Sequence, residues 1–375
     1  MTPEALCLVP VAVCSAWAAL GATAVIDRVL ALPPAVPRED LPPVSVLKPL
    51  CGADPSLEEC LDSFFTQNHP AFELVFGVER ADDPALAVVD GLRVRHPDVA
   101  VRVVVGGGLG GNNPKVRNLR AMLPAASHDL VLISDSNVRA PAGYVASLAA
   151  VRAADPSVGI VTNLFVGAGG RGLGGALESV QLAGFCAAGV ALPSALGDVT
   201  VVGKSMLVSR RELDALGGLA RVADVLAEDY VLGKVYQHAG RRVAISPVVL
   251  DNALGPMDLA AFVRRHLRWA MMRYHLRPFA YALEPLTSPL AVLPFAWRLL
   301  GPWALVWAAA VLLVRDAIPS LALQGERGLH RPLLYGWARE VAALAVWAAA
   351  PLRRHVSWRG HRVRVGAGTM LFAER

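Results

Sequence analysis

The stretch Val131-Leu-Ile-Ser-Asp-Ser-Asn-Val-Arg139 decides the fold. Leu130 to Ile133 are continuously apolar, as in a strand buried on both faces. The run stops at small polar residues around Asp135. In an open α/β sheet, ligands bind just beyond the carboxyl ends of the strands. A carboxylate there can hold a divalent cation, and the cation a diphosphate. The competing reading makes Ser134 or Asp135 the cap of a following helix.

Outward from this strand the chain alternates. Upstream, strands are predicted at Val44–Leu47, Phe72–Val78 and Val99–Val105, with helices at Leu57–Gln67, Pro84–His96 and Pro114–Leu123. Downstream come a helix at Tyr144–Ala153 and a strand at Val158–Phe165. This βαβα rhythm predicts a mostly parallel sheet with helices on both faces. The second half is less regular. Val199–Val202 and Met206–Val208 read as strands; Arg210–Leu216, Val225–Gln237 and Leu259–Tyr274 read as helices.

The ends are apolar. The 375 residues are 54% hydrophobic and 18% charged, with a mean hydropathy of +0.45. That combination points to a soluble domain with membrane segments attached. Ala5 to Ile26 is long enough to span a bilayer, and a Pro-rich spacer follows it. Glu4 precedes the segment while Arg28, Arg38 and Lys48 follow, which places the main domain on the cytoplasmic side. Leu290–Val314 and Leu333–Leu352 are further candidate spans, the second containing Arg339 and Glu340; one of the two can instead be a kinked interfacial helix. The expected organisation is an anchor at 1–30, a main domain at 31–280 and a membrane region with a basic cytoplasmic tail at 281–375. The net charge is +5, and basic clusters at Arg264–Arg273 and Arg353–Arg364 suit anionic lipid or phosphate. No nucleic-acid motif is present. The five cysteines show no zinc spacing and are expected to be reduced thiols.

Several segments can carry chemistry. The turn from Gly106 to Asn113 is Gly-rich and leads into Pro114-Lys115, so it reads as an anion-binding helix start or a surface loop. Asp82 and Asp83 suit a nucleotide's ribose or base, although one of them is equally a cap for the next helix. Glu228 and Asp229 fall in the first turn of a helix, where acidic residues are ordinary dipole partners. Arg265 and Arg268 share a helix face with Trp269 alongside, reading as a clamp on a diphosphate or as a basic lipid-facing surface.

Together, Ser-Val-Leu-Lys-Pro-Leu (45–50), Asp-Asp-Pro-Ala (82–85), Asn-Pro-Lys-Val-Arg-Asn-Leu (113–119), Ile-Ser-Asp-Ser-Asn-Val-Arg (133–139), Glu-Asp-Tyr (228–230) and Arg-His-Leu-Arg-Trp (265–269) resemble the ceramide glucosyltransferase family. The resemblance extends to its bacterial relatives, including hopanoid-associated lipid glycosyltransferases. It covers about Val44 to Trp269 and, in outline, the membrane segments. The last motif also occurs in processive polysaccharide synthases. Two departures stand out. Arg80 lies where relatives often carry an aspartate, and Asn137 lies where a strict Asp-x-Asp has a second carboxylate.

The resemblance implies an α/β GT-A fold, Rossmann-like and of the nucleotide-diphospho-sugar transferase type, with N- and C-terminal transmembrane helices. It implies an inverting hexosyltransferase acting from UDP-glucose or UDP-N-acetylglucosamine on a hydroxyl of a lipid, ceramide or hopanoid. The alternatives are a bacteriohopanetetrol N-acetylglucosaminyltransferase, a processive polysaccharide synthase and a non-catalytic sugar-nucleotide binder. Asp135, with Asn137 assisting, is expected to hold Mg2+ or Mn2+, mainly through the bound nucleotide. Lys48, Asp82, Asp83, Lys115 and Asp135 are expected to bind the nucleotide-sugar. Asp229 is the expected general base, Arg265 and Arg268 the charge clamp, and Trp269 a packing residue of the same motif. Gly203-Lys-Ser-Met resembles an acceptor-side turn. The expected location is the bacterial inner membrane, with the catalytic domain facing the cytoplasm.

Overall fold

The computed structural model describes residues 2–106, 110–198, 200–358 and 361–373. The chain divides into two units, each assembled from separate segments. A sheet unit comprises Leu30–Phe165, Leu196–Gly255 and Met370–Arg375; a helical unit comprises Met1–Val29, Val166–Ala195 and Pro256–Thr369.

After helix α1 (Pro3–Leu30), the sheet unit follows the predicted alternation closely. It runs β1 (Val44–Pro49), α2 (Leu57–Phe65), β2 (Phe72–Val78), α3 (Ala85–Arg95), β3 (Ala100–Val105), α4 (Pro114–Met122), β4 (Leu130–Ser134), β5 (Val138–Arg139), α5 (Tyr144–Ala154) and β6 (Val158–Ala168). Helices α6 (Gly172–Gln181) and α7 (Ala187–Ala195) belong to the helical unit. The sheet unit resumes with β7 (Ser205–Ser209), α8 (Arg210–Ala215), α9 (Glu228–His238) and β8 (Arg242–Ala253).

The eight strands lie in the order β3-β2-β1-β4-β7-β6-β8-β5. Only one half is parallel: β1 pairs in parallel with β2 and β4, and β2 with β3. The other half corrects the expected mostly parallel sheet. β7 runs antiparallel to β4 and β6, and β5 antiparallel to β8. β4 is buried along its whole length, which accounts for its unbroken apolar run. Leu47, Val75, Val131, Ile133, Met206 and Val208 share one core with α4 residues Val116, Leu119 and Met122. The antiparallel pairing of β4 with β7 sets Ser134 opposite Ser205, so the turn entering β7 arrives at the end of β4. That register builds the site.

The expected strand at Val199–Val202 is not found among its described residues. Val199 lies outside the described residues, and Thr200 to Val202 are not in a strand. Instead Val202 accepts a turn hydrogen bond from the Ser205 N–H at 3.0 Å. The long strand β8 and the short β5 were not anticipated. β8 mixes apolar and polar residues without clean alternation, because its burial is uneven.

The helical unit contains α10 (Leu259–Leu276), α11 (Pro278–Leu283), α12 (Pro289–Leu300), α13 (Trp303–Leu312), α14 (Ile318–Gln324) and α15 (His330–Ala349), followed by the antiparallel strands β9 (His355–Trp358) and β10 (His361–Val365). A last strand, β11 (Leu371–Ala373), lies in the sheet unit. Among the described residues, three helices are long and apolar enough to cross a membrane: Glu4–Leu30, Gly172–Ala195 and Trp303–Gly328. The first matches expectation. The second joins α6 and α7 through a π turn at Leu182–Cys186 and was not anticipated. The apolar run Leu290–Val314 is broken between α12 and α13, where Gly301 takes φ +55° and Pro302 follows. α15 covers the expected Leu333–Leu352 segment as far as Ala349, but Arg339 and Glu340 are buried within the helical unit. Glu340 pairs with Arg315 at 2.7 Å and with Arg339 at 2.5 Å, and Asp316 also pairs with both arginines. Buried charges are tolerated when mutually paired in this way.

Candidate active site

The end of β4 delivers Asp135 into a cluster of charges within the sheet unit. Lys48, at the end of neighbouring β1, is fully buried with its ammonium 3.6 Å from the Phe64 ring centre. It donates to the Asp135 backbone carbonyl at 2.6 Å and to Ser134 Oγ at 3.3 Å. Burial pulls its pKa down to about 7, with the Asp135 carboxylate opposing. Lys48 therefore ties the two strand ends together and holds the Asp135 backbone in place.

Lys115 enters from the first turn of α4. Pro114 starts that helix, and Asn113 caps it by accepting from the Val116 N–H at 3.1 Å. The Asn113 amide also donates to the Val225 carbonyl at 2.7 Å, joining the cap to the loop before α9. The Lys115 ammonium lies 2.9 Å from Asp135 Oδ1 and 3.0 Å from Glu228 Oε1, and it donates to the Gly203 carbonyl at 2.8 Å. Burial acts to lower the Lys115 pKa, but Asp135 and Glu228 outweigh it and raise it well above the usual lysine value. The converse holds at Asp135: burial pushes upward, and Lys115 and Lys204 bring it well below the usual carboxylate range. Gly107, Gly108 and Leu109 of the Gly-rich turn lie outside the described residues.

Asp229 is held differently. Its Oδ2 accepts from the Gly203 N–H at 2.7 Å and its Oδ1 from the Tyr230 N–H at 2.8 Å. Burial, then the neighbouring Glu228 carboxylate, pushes its pKa up to about 6; Lys115 and the two N–H donors oppose. A Cβ at residue 203 would sit 2.7 Å from Asp229 Oδ2, so this close approach requires glycine. Lys115 pairs with Asp135 and acts on Asp229 through its charge, and the two carboxylates are shifted in opposite directions, the pattern that separates a fixed anion from a proton acceptor.

Lys204 is the residue that sequence reasoning did not place here. Its ammonium is 3.0 Å from Asn137 Oδ1 and 3.5 Å from Asp135 Oδ2. Two oxygens of the kind that ligate hard cations therefore converge on one positive charge. The Asn137 orientation is fixed by donation from its amide to Asn252 Oδ1 at 2.9 Å. This oxygen pair fits a divalent cation in donor chemistry, although no group of three His, Cys, Asp or Glu ligands occurs among the described residues.

The remaining candidates fall elsewhere. Asp82 is exposed and paired with Arg80 at 2.5 Å. Asp83 accepts from the Gly52 N–H at 3.0 and 3.1 Å and from the Ala85 N–H at the start of α3 at 2.9 Å, as a helix-start residue does. Arg265, Arg268 and Trp269 lie on α10 of the helical unit. There Arg265 pairs with Glu178 of α6 at 3.1 Å and lies over the Trp269 ring at 5.0 Å. His266 binds the other oxygen of Glu178 at 2.6 Å. Glu178, completely buried in an apolar helix, is a second residue that the sequence reading missed. α10 buries Phe262, His266, Ala270 and Met271.

The profile of glycosyl transferase family 21 matches residues 7–371. Ceramide glucosyltransferase 1 of Caenorhabditis elegans is 29% identical over 345 residues, covering 88% of this chain and 73% of that protein. The ceramide glucosyltransferase of Komagataella phaffii is 26% identical over 422 residues, covering 86% and 82%. Among solved structures, a mannosyltransferase from Pyrobaculum calidifontis, in complex with GDP-Man and Mn2+, superposes with a TM-score of 0.52 at 22% identity, covering 91% of this chain and 99% of its own. The likeness is one of fold, the GT-A arrangement. An α/β sheet with a charged cluster at its strand ends, apolar helices and a profile match over almost the whole length lead to one conclusion: the chain is a hexosyltransferase and belongs to glycosyl transferase family 21.

Proposed function

We propose that this enzyme transfers one hexosyl unit from a UDP-sugar to a hydroxyl of a membrane lipid, with inversion at the anomeric carbon. The observation that carries the reading is Asp229. It is a buried carboxylate held by two backbone N–H groups, with a pKa pushed up to about 6, next to the lysine-paired Asp135. At neutral pH such a group is ionised yet able to take a proton.

In this reaction the acceptor hydroxyl oxygen attacks the anomeric carbon. The bond from that carbon to the diphosphate oxygen breaks, and UDP leaves with the electron pair. The hydroxyl proton passes to Asp229. One displacement gives a β-linkage from an α-UDP-sugar. Asp135 and Asn137 would hold a divalent cation, Mg2+ or Mn2+, whose chemistry is to neutralise charge on the diphosphate. Lys48 fixes the Asp135 backbone, and Lys115 keeps Asp135 ionised and oriented. Lys48, Lys115 and Asp135 are the proposed nucleotide side of the site, with Asp82 and Asp83 retained as contributors. Arg265, Arg268 and Trp269 are proposed contributors on the strength of their motif, Arg265 being anchored on Glu178.

Three things support the lipid acceptor: the apolar helices, the relatives named as ceramide glucosyltransferases, and the basic segments flanking the apolar regions. The nucleotide-sugar donor and the cation are supported by the GDP-Man and Mn2+ of the archaeal mannosyltransferase. We place the enzyme in the bacterial inner membrane with its sheet unit on the cytoplasmic side, following the positive-inside bias. The test is incubation of the purified protein with membrane lipids and isotopically labelled UDP-glucose or UDP-N-acetylglucosamine, followed by mass spectrometry of the lipid fraction. A lipid gaining a single labelled sugar supports the reading; label only in a polymer or in free sugar overturns it.

A further inference from the structure

The mechanism above leaves Lys204 without a role, although its side chain is about nine-tenths buried, with 10% exposure. The turn that carries it is tightly fixed. Thr162 Oγ1 accepts from the Val202 N–H at 3.1 Å and donates to the Ser205 carbonyl at 2.8 Å. Ser205 Oγ donates to Asn163 Oδ1 at 2.6 Å and meets the Tyr144 hydroxyl at 2.7 Å. On its other side, Gly203 is bonded to both Asp229 and Lys115. Lys204 therefore leaves a rigid turn and reaches Asp135 Oδ2 and Asn137 Oδ1.

Asp135 Oδ1 is already engaged by Lys115, so Oδ2 and the Asn137 oxygen are the pair left for a cation. That pair faces an ammonium. Lys115 is itself shared between Asp135 and Glu228, so its charge is largely spent on protein carboxylates. A diphosphate entering this cluster needs further positive charge, and Lys204 is the nearby cation whose partners can be replaced by a metal ion.

We propose that Lys204 and a divalent cation are alternative occupants of the Asp135–Asn137 oxygen pair. The ammonium fills it without the donor and moves onto the donor's diphosphate when the metal arrives with the nucleotide. The inference rests on the sugar-nucleotide reading of the site. It makes metal binding depend on the nucleotide, and it makes Lys204 a diphosphate contact.

The experiment is Mn2+ binding by calorimetry on the full-length protein in detergent, first with no nucleotide. Lys204→Met is expected to bind Mn2+ at least about tenfold more tightly than the native protein, and Lys204→Met combined with Asp135→Asn is expected to lose that gain. Lys204→Arg keeps the charge and is expected to behave as native. With Mn2+ supplied, Lys204→Met is expected to bind UDP at least about tenfold more weakly, with uridine binding unchanged. If Lys204→Met left Mn2+ affinity unchanged, or Lys204→Arg gained affinity equally, the proposal would be overturned. Thermal melting verifies folding, and Lys204→Gln replaces the methionine variant if that one does not fold. The nucleotide-free titration reads the lysine alone. Absence of sugar transfer to lipid would defeat the proposed function without altering that result.

Discussion

Asp229 and Asp135 show how burial alone does not set a carboxylate's behaviour. Asp135 is pulled down by Lys115 and Lys204; Asp229 is pushed up by burial and by Glu228. As the proposed base, Asp229 must be ionised, so transferase activity is expected to fall as pH drops through about 6 and to level off above it. Lys115 holds the Asp229 pKa down and Glu228 holds it up. Lys115→Met should therefore move the acid limb of the kcat/KM profile to higher pH, and Glu228→Gln should move it to lower pH. A limb that stays fixed in both variants would assign it to another group. Removing Lys115 takes the paired cation from buried Glu228 and leaves Asp135 with Lys204 alone, so Lys115→Met is expected to lose about 3 kcal/mol of stability, read by denaturant unfolding. At this scale, the sequence already pointed to Asp135, Lys115 and Asp229. It put Lys204 in an acceptor-side turn and not beside Asp135, because nothing local links residue 204 to residue 135; the antiparallel pairing of β4 with β7 does so.

The element that organises the site is the turn entering β7. Gly203 presents its N–H to Asp229 and its carbonyl to Lys115, while the next residue reaches Asn137. Gly203→Ala places a methyl against the Asp229 carboxylate. The expected outcome is a turnover loss of at least about tenfold, with a change in melting temperature of only a few degrees. Comparable losses in activity and folded fraction would instead mark the glycine as structural only. The first half of the sheet was legible because buried parallel strands and amphipathic helices have distinct periods. The second half was less so. β8 follows no single burial pattern, and α6 opens with Gly172, Gly174 and Gly175, which read as a turn. A Cβ at Gly174 would meet the Asp258 backbone, so close packing rather than flexibility explains that glycine.

At the scale of the molecule, the apolar helices bear on the proposed lipid acceptor. Three helices long enough to cross a bilayer predict that the protein sediments with membranes and resists extraction by high salt, requiring detergent for release. Release by salt alone would make the helices internal. Glu178 belongs to one of these helices and holds both Arg265 and His266. Glu178→Gln leaves the two basic groups without their anion. It is expected to lower stability by about 3–5 kcal/mol. No sequence pattern announced that pairing, since it joins positions almost ninety residues apart on two helices. The membrane count was equally hard to read. Gly301 and Pro302 split one apolar run, while the glycines of α6 masked another.

The most direct test of the whole account is the Asp229→Asn variant, measured for both turnover and UDP affinity in the same preparation. With Asp229 as the base, turnover is expected to fall by about 100-fold or more, while the dissociation constant for UDP stays within about threefold. Near-native turnover, or a loss of UDP binding that matches the loss of turnover, would contradict it.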